Sequence, residues 1–259
     1  METVGVNVTH DASFCRCVNG EINLFIEEER LSRKKHDTMP VKTVMEYQES
    51  NFAGVTGLEY HDYSLKDTCN FFDVIFKKKI PSHDYRTYDQ HHFLHAMCGF
   101  YNSEFEEADV VVVDGLGNFV DEENHECATR WHVKKPTQVK LLERQVSSKF
   151  GIKTNRHDYW SMGIGMAYAS ISDYLGFGQT ESGKVMGLAP YGKEDPNIKP
   201  FVIDGRVNSK LFYRTRYGAN FIPYDYLPEK VDVGDQKFMN LAYRLQKDFQ
   251  KWMTDFILK

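Results

Sequence analysis

At 259 residues and 41% hydrophobic, the chain is long enough to bury a large core and to form one or two domains. Its 32 Lys and Arg against 37 Asp and Glu give a net charge of −5, which offers no electrostatic footprint for nucleic acid or an anionic membrane. No run approaches the ~20 apolar residues of a membrane span. Met1-Glu-Thr leads into a strand without a basic n-region, so a cytoplasmic protein without membrane contact is expected. Five cysteines (Cys15, Cys17, Cys69, Cys98 and Cys127) are odd in number and scattered, which argues against a disulfide scaffold. Cys15 and Cys17 share one strand face and read as packed thiols.

In chain order, residues 4–8 alternate as a strand and end in the polar loop Thr9-His10-Asp11-Ala12-Ser13. Strands at 14–18 and 22–26 flank Asn19-Gly20, a strong short hairpin signal. Arg30, Arg33, Lys35 and His36 then form a basic run, mostly a solvated face, of which an anionic substrate could use one or two members. Residues 40–51 read as a helix opened by Pro40. Residues 53–88 match no pattern, and Lys77-Lys78-Lys79 within them reads as solvated.

The segment Asp89-Gln-His-His-Phe-Leu-His-Ala-Met-Cys98 puts three histidines into a helix over 90–102. His91 and His95, four apart, share one face about 6 Å apart at Cβ, the spacing of a metal pincer. The plainer alternative is a surface or core histidine cluster, though histidine is a poor helix former and propensity does not call for three. His92, between them, is a candidate substrate contact. Asp114 closes the apolar run Val110-Val-Val-Val113 and begins the turn Asp114-Gly115-Leu116-Gly117, offering a carboxylate.

Strand, Asp loop and hairpin then recur: a strand at 109–113, the Asp114 loop, and strands at 127–133 and 139–144 around Lys134-Lys-Pro136. Two copies imply two lobes, 1–107 and 108–259. An Asp at a strand end in each would hold a metal or its waters, with turn N–H groups such as those of Gly115 and Gly117 on phosphate oxygens. This organisation predicts an α/β, two-lobed actin/Hsp70/sugar-kinase-like fold, a duplicated ribonuclease H-like unit. Residues 160–175 carry a core stripe of Ile164, Ala167, Tyr168, Ile171 and Leu175. Residues 201–234 read as a strand-poor excursion, and 238–259 as a helix with Leu241, Leu245, Phe249, Trp252 and Phe256 on one stripe.

Four blocks together resemble the amino-terminal part of the NodU/CmcH-type O-carbamoyltransferases. They are Gly5-Val-Asn-Val-Thr-His-Asp-Ala-Ser13, Glu27-Glu-Glu-Arg-Leu-Ser-Arg-Lys-Lys-His-Asp37, His91-His-Phe-Leu-His-Ala96 and Thr180-Glu-Ser-Gly-Lys-Val-Met-Gly-Leu-Ala-Pro-Tyr-Gly192. The resemblance implies a lobe pair related to the tRNA threonylcarbamoyl-transfer enzymes, followed by a YrdC-like domain. The latter makes carbamoyladenylate from carbamoyl phosphate and ATP; the former transfers the carbamoyl group to an acceptor hydroxyl. It implies His91, His95 and Asp114 as ligands of a transition metal, iron first, with Mg2+ an additional candidate.

It also implies that Glu181 and Lys184 face the nucleotide, with Gly183 and Gly187 permitting close backbone approach. The plainer reading of that pair is a surface ion pair. His10 is the candidate base for the weakly acidic hydroxyl, with Asp11 as alternative base or orienter. A mere turn role for His10 is the competing reading, since Asn-Val-Thr precedes it where the family more often has small residues.

In the family an adenosine-gripping turn follows the last helix, so the second lobe is expected to be incomplete. A complementary carboxy-terminal chain would supply the rest and cover a bare apolar face of the 238–259 helix, with homo-oligomerisation as the substitute. A non-catalytic metal- or nucleotide-binding remnant acting as scaffold is the alternative, and an Hsp70- or sugar-kinase-like ATPase is disfavoured because neither has the His91–His95 helix. The small-molecule acceptor stays open among sugars, polyketide-like hydroxyls and hydroxymethylated nucleobases.

Overall fold

The computed structural model describes residues 2–7, 11–46, 55–58, 91–118, 120–121, 124–148, 161–215, 218–227 and 230–258. His10, Cys69 and nearly all of 53–88 lie outside the described residues. The chain divides into two compact units, Met1–Thr87 and Tyr88–Lys259.

In the first unit, β1 (Glu2–Asn7), β2 (Ser13–Val18) and β3 (Glu21–Glu27) form an antiparallel meander. Asn19 and Gly20 both take positive φ, 54° and 90°, as the two-residue hairpin between β2 and β3 requires. Alternation aims Val4, Val6 and Phe14 into the core. Short helices α1 (Glu28–Ser32) and α2 (Val41–Glu46) follow, and β4 (Val55–Leu58) joins β1 in parallel, giving the order β3-β2-β1-β4. Glu28 is 1% exposed because its carboxylate accepts from Lys42 N–H (2.9 Å) and Thr43 N–H (2.8 Å), satisfying the first amides of α2. Cys15 and Cys17 are both half-buried.

The second unit opens with α3 (His91–Tyr101). A second antiparallel meander follows: β5 (Glu107–Val113), β6 (Asn124–Lys134) and β7 (Gln138–Ser148), in the order β5-β6-β7. The strand, Asp loop and hairpin order thus recurs in both units. Ala96 and Phe100 bury the inner face of α3, which packs on β5 and β6. The lobe boundary drawn at 107/108 is a separate matter from the compact units, which divide between 87 and 88.

Next come α4 (Ile164–Tyr174), α5 (Ser182–Leu188), the hairpins β8 (Val202–Ile203) with β9 (Arg206–Val207) and β10 (Phe212–Thr215) with β11 (Gly218–Phe221), and α6 (Gln236–Ile257). The described residues of 201–234 therefore hold four short strands, more order than the sequence promised. Ile164, Ala167, Ile171 and Leu175 are buried as expected, and Tyr168 donates its hydroxyl to Gln246 Oε1 (2.6 Å). Asp235 caps α6 by accepting from Lys237 N–H, and Leu241, Leu245, Phe249, Trp252 and Phe256 are all buried. This corrects the bare helix face expected from sequence: α4, α5, β8 and the 3-10 turn Ala189–Tyr191 cover that stripe. The α/β class is observed, as small sheets with packed helices. Among the described residues no helix is long and apolar enough to cross a membrane.

Candidate metal centre

Three side chains of the second unit converge. His91 Nε2 lies 2.6 Å from Asp114 Oδ2 and 3.1 Å from His95 Nε2, and His95 Nε2 lies 3.9 Å from the same Asp114 oxygen. Donors bound to one ion at 2.0–2.2 Å stand roughly 3–3.5 Å apart, so the trio fits a single transition ion after shifts of tenths of an ångström. Two imidazoles and one carboxylate make a borderline donor set suited to iron or zinc. All three side chains are partly exposed, leaving a side open to solvent.

The positions arise from helix periodicity on one side and a built loop on the other. His91 and His95 share the α3 face away from buried His92, Ala96 and Phe100. The loop after β5 is fastened to β6: Asp114 N–H donates to Cys127 O (3.0 Å), Gly117 N–H to Glu126 O (2.8 Å) and Glu126 N–H to Asn118 O (2.8 Å). Gly115 N–H holds Asp114 Oδ1 at 2.6 Å, which leaves Oδ2 turned to the histidines. Asn118 Oδ1 accepts from His91 N–H at 2.8 Å, tying the start of α3 to the same loop. Burial raises the Asp114 carboxyl, but the hydrogen bond and charge of His91, the Gly115 N–H and His95 outweigh it and hold it below its ordinary range.

His92, proposed from sequence as a substrate contact, is fully buried. Its Nδ1 lies 3.0 Å from Thr129 Oγ1, which also accepts from Trp131 Nε1 (2.8 Å), and burial pushes its pKa down to about 4. Its burial puts it out of reach of a ligand from solvent. Glu126, 2% exposed and paired with Arg144 at 2.8 Å, lies beside it, its carboxyl raised by burial.

The Gly115 and Gly117 amides, expected on phosphate oxygens, donate within the protein to Asp114 Oδ1 and Glu126 O. Gly117 has a packing reason instead: a Cβ there would stand 2.5 Å from His92 Nε2. Glu181 precedes α5 and pairs with Lys184 at 3.1 Å; Lys184 is more than half exposed. Apart from chain neighbours and the backbone of α5 itself, no heavy atom of the described residues lies within 4 Å of where a Cβ would stand on Gly183 or Gly187, so packing does not demand glycine at either.

In the first unit, His36 Nδ1 lies 2.7 Å from Asp11 Oδ1, and His36 N–H donates to Glu29 Oε2 (3.2 Å). Asp11, Glu29 and His36 form the second group of potential ligand donors among the described residues. Asp11 is thus placed to orient His36, a partnership the sequence did not announce. Arg33, which ends α1 with φ 62°, and Lys35 are both exposed.

Residues 44–255 match the family described as the Carbamoyltransferase N-terminus. The chain belongs to this family. The resemblance read from the four motif blocks is therefore borne out. Nodulation protein NolNO of Sinorhizobium fredii (strain NBRC 101917 / NGR234) is 24% identical over 216 residues, covering 73% of this chain and 28% of that protein. Uncharacterized protein sll1178 of Synechocystis sp. (strain ATCC 27184 / PCC 6803 / Kazusa) is 22% identical over 260 residues, covering 83% of this chain and 38% of its own. The chain thus spans about a third of the length of these curated relatives. Among solved structures, the Aquifex aeolicus PPX-GPPA enzyme aligns at a TM-score of 0.31 and 10% identity, over 73% of this chain and 62% of that one.

Proposed function

We propose that this chain is the amino-terminal part of an O-carbamoyltransferase with the two-lobed architecture of the actin/Hsp70/sugar-kinase fold, acting on a small-molecule hydroxyl. The carbamoyl donor is carbamoyladenylate, made from carbamoyl phosphate and ATP by polypeptide outside residues 1–259, either a separate chain or continuing sequence. The observation that carries the reading is the convergence of His91, His95 and Asp114 at 2.6–3.9 Å in a chain of this family.

His91 and His95 would hold the metal, iron first, through Nε2 and Asp114 through Oδ2. When bound, such an ion supplies positive charge that anchors and polarises a phosphate. Asn118 and Gly115 keep the donors aimed at one point without closing the exposed side. Glu181 and Lys184 are assigned to the nucleotide. His10 takes the proton of the acceptor hydroxyl as its oxygen bonds to the carbamoyl carbon; the bond from that carbon to the adenylate phosphate breaks, and AMP leaves. Asp11, engaged with His36, acts as an orienting group rather than as the base.

Elemental analysis of the purified chain tests the centre directly. About one equivalent of transition metal is expected, lost on His95→Ala because a ligand at ~2.0–2.1 Å is removed; unchanged content in that variant rejects the site. In the complete system, His10→Asn should cut carbamoyl transfer by about 10²–10⁴ while adenylate formation persists. Equal loss of both half-reactions would mark His10 as structural.

A further inference from the structure

The loop that presents Asp114 is pressed from the far side by the beginning of α4. A Cβ built on Gly165 would stand 2.5 Å from Asp114 O, 2.6 Å from its carbonyl carbon and 2.8 Å from Gly115 N. All three are backbone atoms, so no rotamer change relieves the contact; either the loop or the helix must move. The loop cannot yield on its other side, where Gly117 abuts His92 and its amide is bonded to β6. Gly163, two residues earlier, presses on β6: a Cβ there would stand 2.5 Å from Cys127 Cβ.

We propose that Gly165 is a positioning residue for the metal centre: its missing side chain lets α4 seat the Asp114-Gly115 backbone so that Asp114 Oδ2 meets the Nε2 atoms of His91 and His95. The inference rests on the metal reading above. It needs only this chain's own residues. The contact falls on the Asp114 carbonyl and the Gly115 amide, and that amide holds Asp114 Oδ1. Displacing the backbone here rotates the carboxylate away from the histidines, which stand on α3 and not on the Asp114-Gly115 backbone. Residues that orient a ligand without touching the ion typically change metal affinity 10–100-fold.

The test is Co2+ titration of the full chain, reading affinity and the visible d–d spectrum, with far-UV circular dichroism and thermal melting alongside. Wild type should bind one Co2+, and His95→Ala should abolish the spectrum; a wild type that binds none overturns the metal reading, and this inference with it. Gly165→Ala should remain folded, bind Co2+ about 10–100-fold more weakly and show shifted d–d bands reporting an altered ligand geometry. Gly192→Ala, which crowds Met239 and Tyr243 of α6 rather than the Asp114 loop, should keep the wild-type spectrum. Unchanged affinity and spectrum in folded Gly165→Ala overturn the proposal, as does an equal loss in Gly192→Ala, which would reflect packing alone. Should Gly165→Ala not fold, Zn2+ titration of 15N-labelled wild type decides: the Gly165 amide resonance should shift together with that of Gly115, and a Gly165 resonance that stays fixed while Gly115 moves overturns the coupling.

Discussion

Asn118 Oδ1 accepts the His91 backbone N–H at 2.8 Å, so the loop that carries the Asp114 carboxylate also begins the helix that carries the His91 and His95 imidazoles. One side chain thereby registers two elements that share no local sequence. It also satisfies an amide that the first turn of any α-helix leaves unpaired. Asn118 is 6% exposed, so water is a poor substitute for it.

Replacing Asn118 with Ala should therefore cost about 1 kcal/mol of stability, the usual value of a lost helix cap. Metal affinity should fall with it, because His91 is no longer held against the Asp114 loop. Asn118→Asp retains the acceptor and should restore both. A thermal melt and Co2+ titration of the two variants would check this; identical behaviour of Asn118→Ala and wild type would remove Asn118 from the account.

Glu28 makes a separate prediction for the first unit. Its carboxylate serves the amides of Lys42 and Thr43 and the Thr43 hydroxyl, and both Glu28 and Thr43 are buried. Glu28→Ala leaves several donors without a partner, each worth about 1–3 kcal/mol when buried. Urea unfolding monitored on the first unit should show a clearly lower midpoint, and an unmoved midpoint would mean α2 is capped by other means.

The pH dependence of stability has a named contributor in Asp195. Its carboxylate accepts from the Tyr226 hydroxyl (2.6 Å), from Asn197 N–H (3.0 Å) and from Asn197 Nδ2 (3.2 Å). The Tyr226 bond above all holds its pKa below the ordinary 3.8, against the opposing effect of burial. The folded state therefore favours the ionised form, and the unfolded chain takes up the proton first as pH falls. The stabilisation is complete above about pH 5, declines as pH drops through the ordinary value, and is gone below the folded pKa. Melting between pH 6 and pH 3 should show a shallower acid decline in Asp195→Asn than in wild type; parallel curves would assign the acid limb to other carboxylates.

Much of the scaffold was legible because its signals are local. Asn19-Gly20 can adopt two positive φ values in succession, so a hairpin was readable from two residues. The i, i+4 spacing of His91 and His95 follows from the helix period alone, as does the buried stripe from Leu241 to Phe256. Asp204-Gly205 carries the same kind of turn signal, two positive φ values in succession, and joins β8 to β9. The four motif blocks made the family legible as well, since order and spacing along the chain are properties of sequence.

What only the tertiary structure decided were relationships between distant residues. Helix periodicity put His92 on α3 but could not say that β6 would bury it against Thr129. Sequence could not say that the Gly117 amide would meet Glu126 O on β6, or that the Gly115 amide would hold Asp114 Oδ1. Asp11 was readable as a loop carboxylate, while its engagement with His36 required the chain to return after β3. Backbone periodicity fixes which face a side chain occupies; close packing between elements decides what that face meets, and a glycine such as Gly165 shows its purpose only once the helix it belongs to has been set against Asp114.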